Sequence, residues 1–251
     1  MRDFKELELK LVAFIRDYCK NIGVENLLLG MSGGLDSAIV GALCAKAMPQ
    51  NTHALIMPTK NSDPKNIKDA TEFCQKRNIK FKILSIESIL GAYQESIDTN
   101  LNNIRKGNLS ARIRMSLLYD YSADIRAIVV GTSNKSELML GYGTIFGDMA
   151  CAINPIGELY KTEIFEFARY LEIDGNIINK APSADLWEGQ SDEEDIGYSY
   201  EVVDEILIAT KNGEIYNKQI EEKFGKKTVQ EILKRVKSNE FKRRMPLIAK
   251  I

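Results

Sequence analysis

Short apolar runs alternate with helix-length stretches through most of this chain, and that order leaves few folds open. The runs fall at residues 25–32, 53–57, 79–84 and 127–132, and each reads as a strand. Those at 25–32 and 127–132 read as buried strands. Around them, residues 3–20, 37–46, 64–77, about 87–121 and 161–170 read as helices. Strand–helix alternation implies βαβ units and a parallel sheet flanked by helices. After residue 190 the chain is charged and reads as mostly helical, with no further strand. No repeat, low-complexity tract or Pro/Gly-rich linker interrupts it, so residues 1–251 are expected to form a single domain.

Composition excludes several classes. The formal net charge is −1, without the basic excess of a nucleic-acid coat. No stretch approaches the roughly 18 apolar residues of a membrane span. The opening residues are charged and lack a signal peptide's apolar core, so a cytoplasmic protein is expected. Cys19, Cys44, Cys74 and Cys151 form no C-x-x-C pair and read as buried free thiols. His53, the sole histidine, lies in an apolar strand and reads as packed.

Open parallel sheets bind ligands beyond the carboxyl ends of their strands. Two loops there carry the chemistry: Gly30 to Ser37 and Gly131 to Glu137. The first reads Gly30-Met31-Ser32-Gly33-Gly34-Leu35-Asp36-Ser37. Glycines allow close backbone approach, and N–H groups at the next helix's start favour an anion. There is no Walker A lysine. A carboxylate at Asp36 would repel phosphate unless a hard cation such as Mg²⁺ lay between them. The plainer alternative is that Asp36 or Ser37 only caps a helix. In the second loop, Asn134-x-x-Glu137 equally fits a capping box.

Ser32-Gly33-Gly34-Leu35-Asp36-Ser37 resembles the S-G-G-x-D-S loop of the ATP pyrophosphatase, or PP-loop, superfamily. The resemblance implies a Rossmann-like, adenine nucleotide alpha hydrolase-like fold and ATP cleavage between the α and β phosphates. It gives ATP contacts to Gly30, Met31, Ser32, Gly33, Gly34, Leu35, Asp36 and Ser37.

Further segments resemble the ammonia-dependent NAD synthetases in order, over roughly residues 26–246. Gly131-Thr132-Ser133-Asn134-Lys135-Ser136-Glu137 is similar to G-T-x-x-x-x-E, which implies that Thr132 contacts ATP and that Glu137 joins Asp36 on Mg²⁺. Asn108 to Met115 is similar to N-x-x-A-R-x-R-M, which points to Arg112 for the dinucleotide substrate. Gly141 to Asp148 resembles G-F-x-T-x-x-G-D and suggests Asp148. Gly157 to Thr162 resembles G-x-L-x-K-T and gives Lys161 an ATP phosphate. A lysine in a helix's first turn is also misplaced against the dipole unless an anion is near. Lys180 to Leu186 resembles K-x-P-[ST]-A-x-L, with Ser183 on ATP. Gln190 to Gly197 resembles Q-x-D-E-x-x-[LIM]-G, readable as part of a lid or as a solvated acidic loop. Lys242 is the dinucleotide contact near the end. The chain departs from the family where Ile145, Ala152 and Phe241 stand in place of lysine, aspartate and histidine.

The resemblance implies ATP-dependent amidation of deamido-NAD by ammonia through an adenylate, with Mg²⁺ and a homodimer joined near residues 90–121. It implies no nucleic-acid or membrane partner, and ammonia rather than glutamine as donor, since glutamine-dependent relatives carry an amidase domain ahead of the synthetase. Two other classes compete. A tRNA-modifying PP-loop enzyme should show a basic face, and thiolating members often use paired cysteines. A non-catalytic nucleotide-binding module would not need both Asp36 and Glu137.

Overall fold

The computed structural model describes residues 2–97, 101–183, 189–211, 214–215 and 219–250. In chain order the elements are α1 (Phe4–Ile22), β1 (Asn26–Gly30), α2 (Leu35–Ala47), β2 (Thr52–Ile56), α3 (Pro64–Lys76), β3 (Lys80–Ile83), α4 (Glu87–Ser96) and α5 (Asn103–Asp124). Then come β4 (Ala127–Val129), α6 (Lys135–Leu140), α7 (Lys161–Tyr170), α8 (Gly175–Ile178), α9 (Asp192–Ile196) and α10 (Tyr200–Ile208). The rest are β5 (Thr210–Lys211), β6 (Glu214–Ile215), α11 (Gln219–Phe224), α12 (Lys226–Ser238) and a 3-10 turn at Glu240–Arg243.

Strands β1 to β4 form one parallel sheet in the order β3-β2-β1-β4, with Leu28 opposite both His53 and Val129. The sheet is Rossmann-like, flanked by helices, with a helical C-terminal region. The period of two decides which core each residue enters. Leu27, Leu29, Ala54, Ile56, Ile128 and Val130 pack with Ile15 of α1, Ile39 of α2, Phe73 of α3 and Phe167 of α7. Leu28, Leu55 and Met57 turn the other way, onto Leu90 of α4 and Ile113 of α5. Covered on both faces, β1 shows no polar alternation, whereas the edge strand β3 alternates Lys80-Phe81-Lys82-Ile83 and is largely exposed. A third cluster joins Leu140 of α6 to Tyr200, Val203 and Leu207 of α10, Ile220 of α11, and Val229 and Ile232 of α12.

Several expectations are refined. The long helix over 87–121 is two helices, because the Asn102 side chain accepts from Arg105 N at 2.9 Å and caps a new start. The fourth strand ends at Val129, and Val130 only bridges Ile153. The chain after 190 does carry strand, the antiparallel pair β5–β6, whose two-residue arms are too short for any period to announce. His53 is half-buried rather than packed away, and its pKa is lowered first by burial and then by Lys80 and Lys82. Cys19, Cys44 and Cys74 are buried free thiols and Cys151 is half-buried. Burial pushes Cys74 up to about 12, which suits an inert core residue. No helix among the described residues is long and apolar enough to cross a membrane.

Candidate functional site

Between β1 and α2 the chain makes a tight loop. Gly34 is the extended N-cap of α2, with no side chain capping it. Ser37 Oγ instead donates back to Gly34 O at 3.0 Å and lies 3.1 Å from Ser32 Oγ, while Gly34 N donates to Ser32 Oγ at 3.1 Å. The capping alternative for Asp36 and Ser37 is therefore not realised. The first-turn N–H groups of α2 have no intrahelical acceptor, and Leu35, Asp36 and Ser37 line a cavity. Gly33 is left-handed, at φ +81, and a Cβ there would sit 2.2 Å from Asn66 O. Strained φ and a backbone collision add. We expect Gly33→Ala to lose about 2 kcal/mol or more in urea unfolding. A loss under about 0.5 kcal/mol would show that α3 and the loop separate easily.

Asp36, in the first turn of α2, meets two other elements. Its Oδ1 accepts from Asn134 Nδ2 at 3.0 Å and its Oδ2 from Lys161 Nζ at 2.5 Å. Glu137 Oε1 lies 3.3 Å from the same ammonium. The Lys161 side chain is only 4% exposed. The capping reading of the second loop holds. Asn134 and Glu137 form a complete capping box on α6, and Glu137 also turns its other oxygen to Lys161. Lys161 opens α7 beside anions, as the dipole argument required, but here they are the protein's own carboxylates. Burial would pull its ammonium down, yet Asp36 and Glu137 outweigh burial and hold it above the usual lysine range. Burial, then the nearby Asp36 and Asp192, push Glu137 up to about 8 against the pull of Lys161.

Around this trio lies a supporting network. Asp192, 4% exposed, accepts from Tyr142 Oη at 3.1 Å and Tyr200 Oη at 3.2 Å. Burial raises its carboxyl, against the pull of Lys161. The Tyr200 ring lies 5.4 Å from Lys161 Nζ. Asp204 of α10, 1% exposed, accepts from Thr162 N at 2.8 Å and from Ser136 Oγ. Ser136 Oγ in turn accepts from Lys161 N at 2.9 Å. Thus α10 fixes α6 and α7, which carry Glu137 and Lys161. Sequence reading missed Asn134 as a partner of Asp36, and missed Asp204. Only the capping-box spacing pointed at Asn134, and nothing in the pattern marks Asp204.

The carboxyl ends of β1, β2 and β4 open into a cavity of about 1160 Å³. That exceeds a usual single-ligand pocket of roughly 300–1,000 Å³ and leaves room for two substrates. Gly30, Met31, Ser32, Gly34, Leu35, Asp36, Ser37, Thr132, Glu137, Lys161, Ser183, Asp148 and Lys242 all line it. Gly33 and Arg112 do not. Arg112 is exposed on α5, and the wall carries Arg114 instead, whose Nε donates to Met57 O at 3.0 Å. Asp148 is exposed, and its Oδ1 accepts from Thr144 N at 2.8 Å. Lys242 Nζ donates to Gly141 O at 2.7 Å and Gly143 O at 3.0 Å. Of the departing positions, Ile145 is half-buried, Ala152 is exposed and Phe241 is 61% exposed. The stretch Ala184–Asp185–Leu186 of the Ser183 motif lies outside the described residues.

Among the described residues no group of three or more His, Cys, Asp or Glu side chains forms a metal cage. Two adjacent carboxylates are nevertheless a fit for Mg²⁺, which commonly binds through one or two of them plus substrate phosphates.

The NAD synthase family model matches residues 8–246. An NH(3)-dependent NAD(+) synthetase of Campylobacter jejuni is 47% identical over 250 residues, 99% of this chain and 100% of its own. A solved structure of NH3-dependent NAD synthetase from Campylobacter jejuni, in complex with nitrate, covers 99% of this chain and all of its own at TM-score 0.86 and 41% identity. The structure of an NMN synthetase from Francisella tularensis covers both chains fully at TM-score 0.90 and 34% identity.

Proposed function

The chain belongs to the NAD synthase family, and on that premise we propose that it amidates deamido-NAD with ammonia at the expense of ATP, giving NAD, AMP and pyrophosphate. The observation that carries the reading is one buried ammonium, Lys161, held against Asp36 and Glu137 beside a phosphate loop. A nicotinate oxygen attacks the α phosphate, pyrophosphate leaves, ammonia attacks the activated carbonyl, and AMP leaves. The protein needs no nucleophile of its own. It positions the reactants and neutralises charge. Backbone N–H groups from Ser32 to Ser37 hold phosphates, and Lys161 turns from its carboxylates to the same anion. Thr132 and Ser183 bound the nucleotide; Asp148 and Lys242 bound the dinucleotide. Mg²⁺ would be held by Asp36 and Glu137 and, when bound, supplies neutralisation of the developing pyrophosphate charge. Free thiols fit a reducing, cytoplasmic setting.

Mass detection of NAD and AMP from deamido-NAD, ATP, Mg²⁺ and ammonium tests this, with nicotinate mononucleotide as a second arm. The expected product is NAD. The likeness to an NMN synthetase makes the mononucleotide the one competing substrate. Amidation of the mononucleotide alone would replace the dinucleotide reading, and no AMP in either arm would end both.

Two outcomes follow for pH and assembly. Only neutral ammonia has a free lone pair, and Glu137, raised to about 8, becomes mostly ionised as pH rises through that value. Both effects have the same sign. We expect kcat/KM for ATP, which reports the free enzyme, to rise through about pH 8. The rate at fixed total ammonium should rise over the same range. Flat profiles would contradict both assignments.

The homodimer is supported by Ile104, Arg112 and Tyr119, spaced eight and seven residues apart on one face of α5. Ile104 is 67% exposed and Tyr119 is 41% exposed. Much of the other apolar content there is spent on the sheet: Leu90 and Ile113 are buried, and Ile89, Leu109, Leu117 and Leu118 pack against them. A stable dimer commonly buries about 1,200–2,000 Å² or more. Sedimentation at micromolar concentration should show twice the 28.3 kDa chain mass. A fully active species of 28.3 kDa alone would reject the dimer.

A further inference from the structure

Lys180 follows α8 and opens the segment that carries Ser183, yet its side chain does not serve that segment. Its Nζ donates to Gly33 O at 3.0 Å, to Asn66 Oδ1 at 2.5 Å and to Asp69 Oδ2 at 2.8 Å. An ammonium has three protons, and these acceptors match them one for one. They come from the phosphate loop, the first turn of α3 and its buried second turn. Asp69 is 4% exposed, and a buried carboxylate needs such a partner.

The bond to Gly33 decides which way a peptide faces. In a trans peptide the carbonyl of Gly33 and the N–H of Gly34 point to opposite sides. Lys180, which lines the cavity together with Asn66, holds the carbonyl to one side, and Gly34 N points to Ser32 Oγ on the other. Two consecutive glycines have little steric preference of their own. Released from Lys180, this peptide could turn its oxygen toward the place where phosphate must sit, and a carbonyl oxygen repels phosphate. The close approach of Gly33 to Asn66 O puts the same loop against α3, so one ammonium secures three elements. Past Ser183, Asp192 N donates back to Pro182 O at 2.9 Å, joining this strand of chain to α9.

We propose that Lys180 is a positioning residue for the ATP half-reaction, holding the Gly33 carbonyl out of the phosphate site and tying the loop's shape to the segment bearing Ser183. The inference rests on the reading of the cavity as an ATP site. It makes a distinction that a general structural role would not: it concerns the β and γ phosphates, not adenine.

The test is calorimetric titration of ATP and of AMP into the parent, Lys180→Met, Lys180→Arg and the double variant Lys180→Met/Asp69→Asn, alongside steady-state kinetics. In Lys180→Met, ATP affinity should fall at least tenfold while AMP affinity stays within twofold. KM for ATP should rise by a similar factor, with KM for deamido-NAD unchanged. Lys180→Arg, which keeps the charge and can reach the carbonyl, should recover part of the ATP affinity. Because Lys180→Met leaves Asp69 buried without its partner, the double variant removes that charge too. It should melt nearer the parent yet keep the ATP defect. Equal losses for ATP and AMP, or parental ATP affinity in the folded double variant, would overturn the proposal. A parent that binds neither nucleotide would overturn the ATP-site reading, and this inference with it.

Discussion

Lys161→Met is expected to abolish turnover and to cost about 3 kcal/mol of stability, near the low end for breaking a buried ion pair. Methionine keeps the length and removes the charge. Lys161 is 4% exposed on its side chain, and Asp36 and Glu137 are 16% and 17% exposed, so water replaces little of what is lost. The figure stays near the low end because Glu137, with its carboxyl raised to about 8, is mostly neutral at pH 7 and leaves no uncompensated charge there. Asp36 is then left with Asn134 as its remaining hydrogen-bond donor. Catalysis loses the residue proposed to meet ATP phosphate. Urea unfolding of the variant gives the stability, and pyrophosphate release gives the activity. Parental stability would mean that the trio is not coupled as its geometry requires. Retained turnover would remove Lys161 from the phosphate site.

Asp36→Asn and Glu137→Gln should each lower turnover by about a hundredfold or more, comparable to removing a group that meets charge in the transition state. Their effects on stability should differ. Asp36→Asn takes away the nearer counterion of Lys161 and should destabilise. For Glu137 the direction depends on pH. Its folded carboxyl titrates at about 8, above the ordinary 4.5, so the folded protein holds a proton that the unfolded chain releases. That contribution is complete below the ordinary value and is lost as pH rises through about 8. Glu137→Gln, which mimics the protonated carboxyl, should therefore differ least from the parent at low pH and gain on it as pH rises toward about 8. Melting curves across the range, with turnover at each pH, check both statements. Near-parental turnover in either folded variant removes that residue from the metal role. A Glu137→Gln stability difference independent of pH would contradict the raised carboxyl.

The sheet and the phosphate loop were legible because their signals are local. A run such as Leu27-Leu28-Leu29 ending in Gly30 carries strand, burial and turn in four letters. The resemblance added order to the loops and named most of the cavity wall, Thr132, Glu137, Lys161 and Ser183 among it. What stayed hidden depends on which way side chains point in three dimensions. Arg112 and Arg114 differ by two positions, and only the packing of α5 decides that Arg114 faces the cavity. Gly33 belongs to the motif, but its carbonyl is taken by Lys180, 147 positions along the chain. Lys161 stands beside Asp36 from 125 positions along the chain, and nothing local in the sequence pairs the two. Asp204, 68 positions beyond Ser136, had no local signal at all.

The two halves of the carboxylate pair are secured by different cores. Asp36 rides on α2, in the core under the sheet, while Glu137 and Lys161 are braced through Ser136 and Asp204 by α10 and the C-terminal cluster. The distance between the carboxylates is thus a mechanical readout of how the two cores dock. For anyone interpreting inherited or selected variants, a change at Val203 or Ile232 that merely loosened the C-terminal helices would register as a defect in chemistry. A map of activity-lowering mutations would spread over both cores, and distance from the bound nucleotide would be a poor guide to which of them matter.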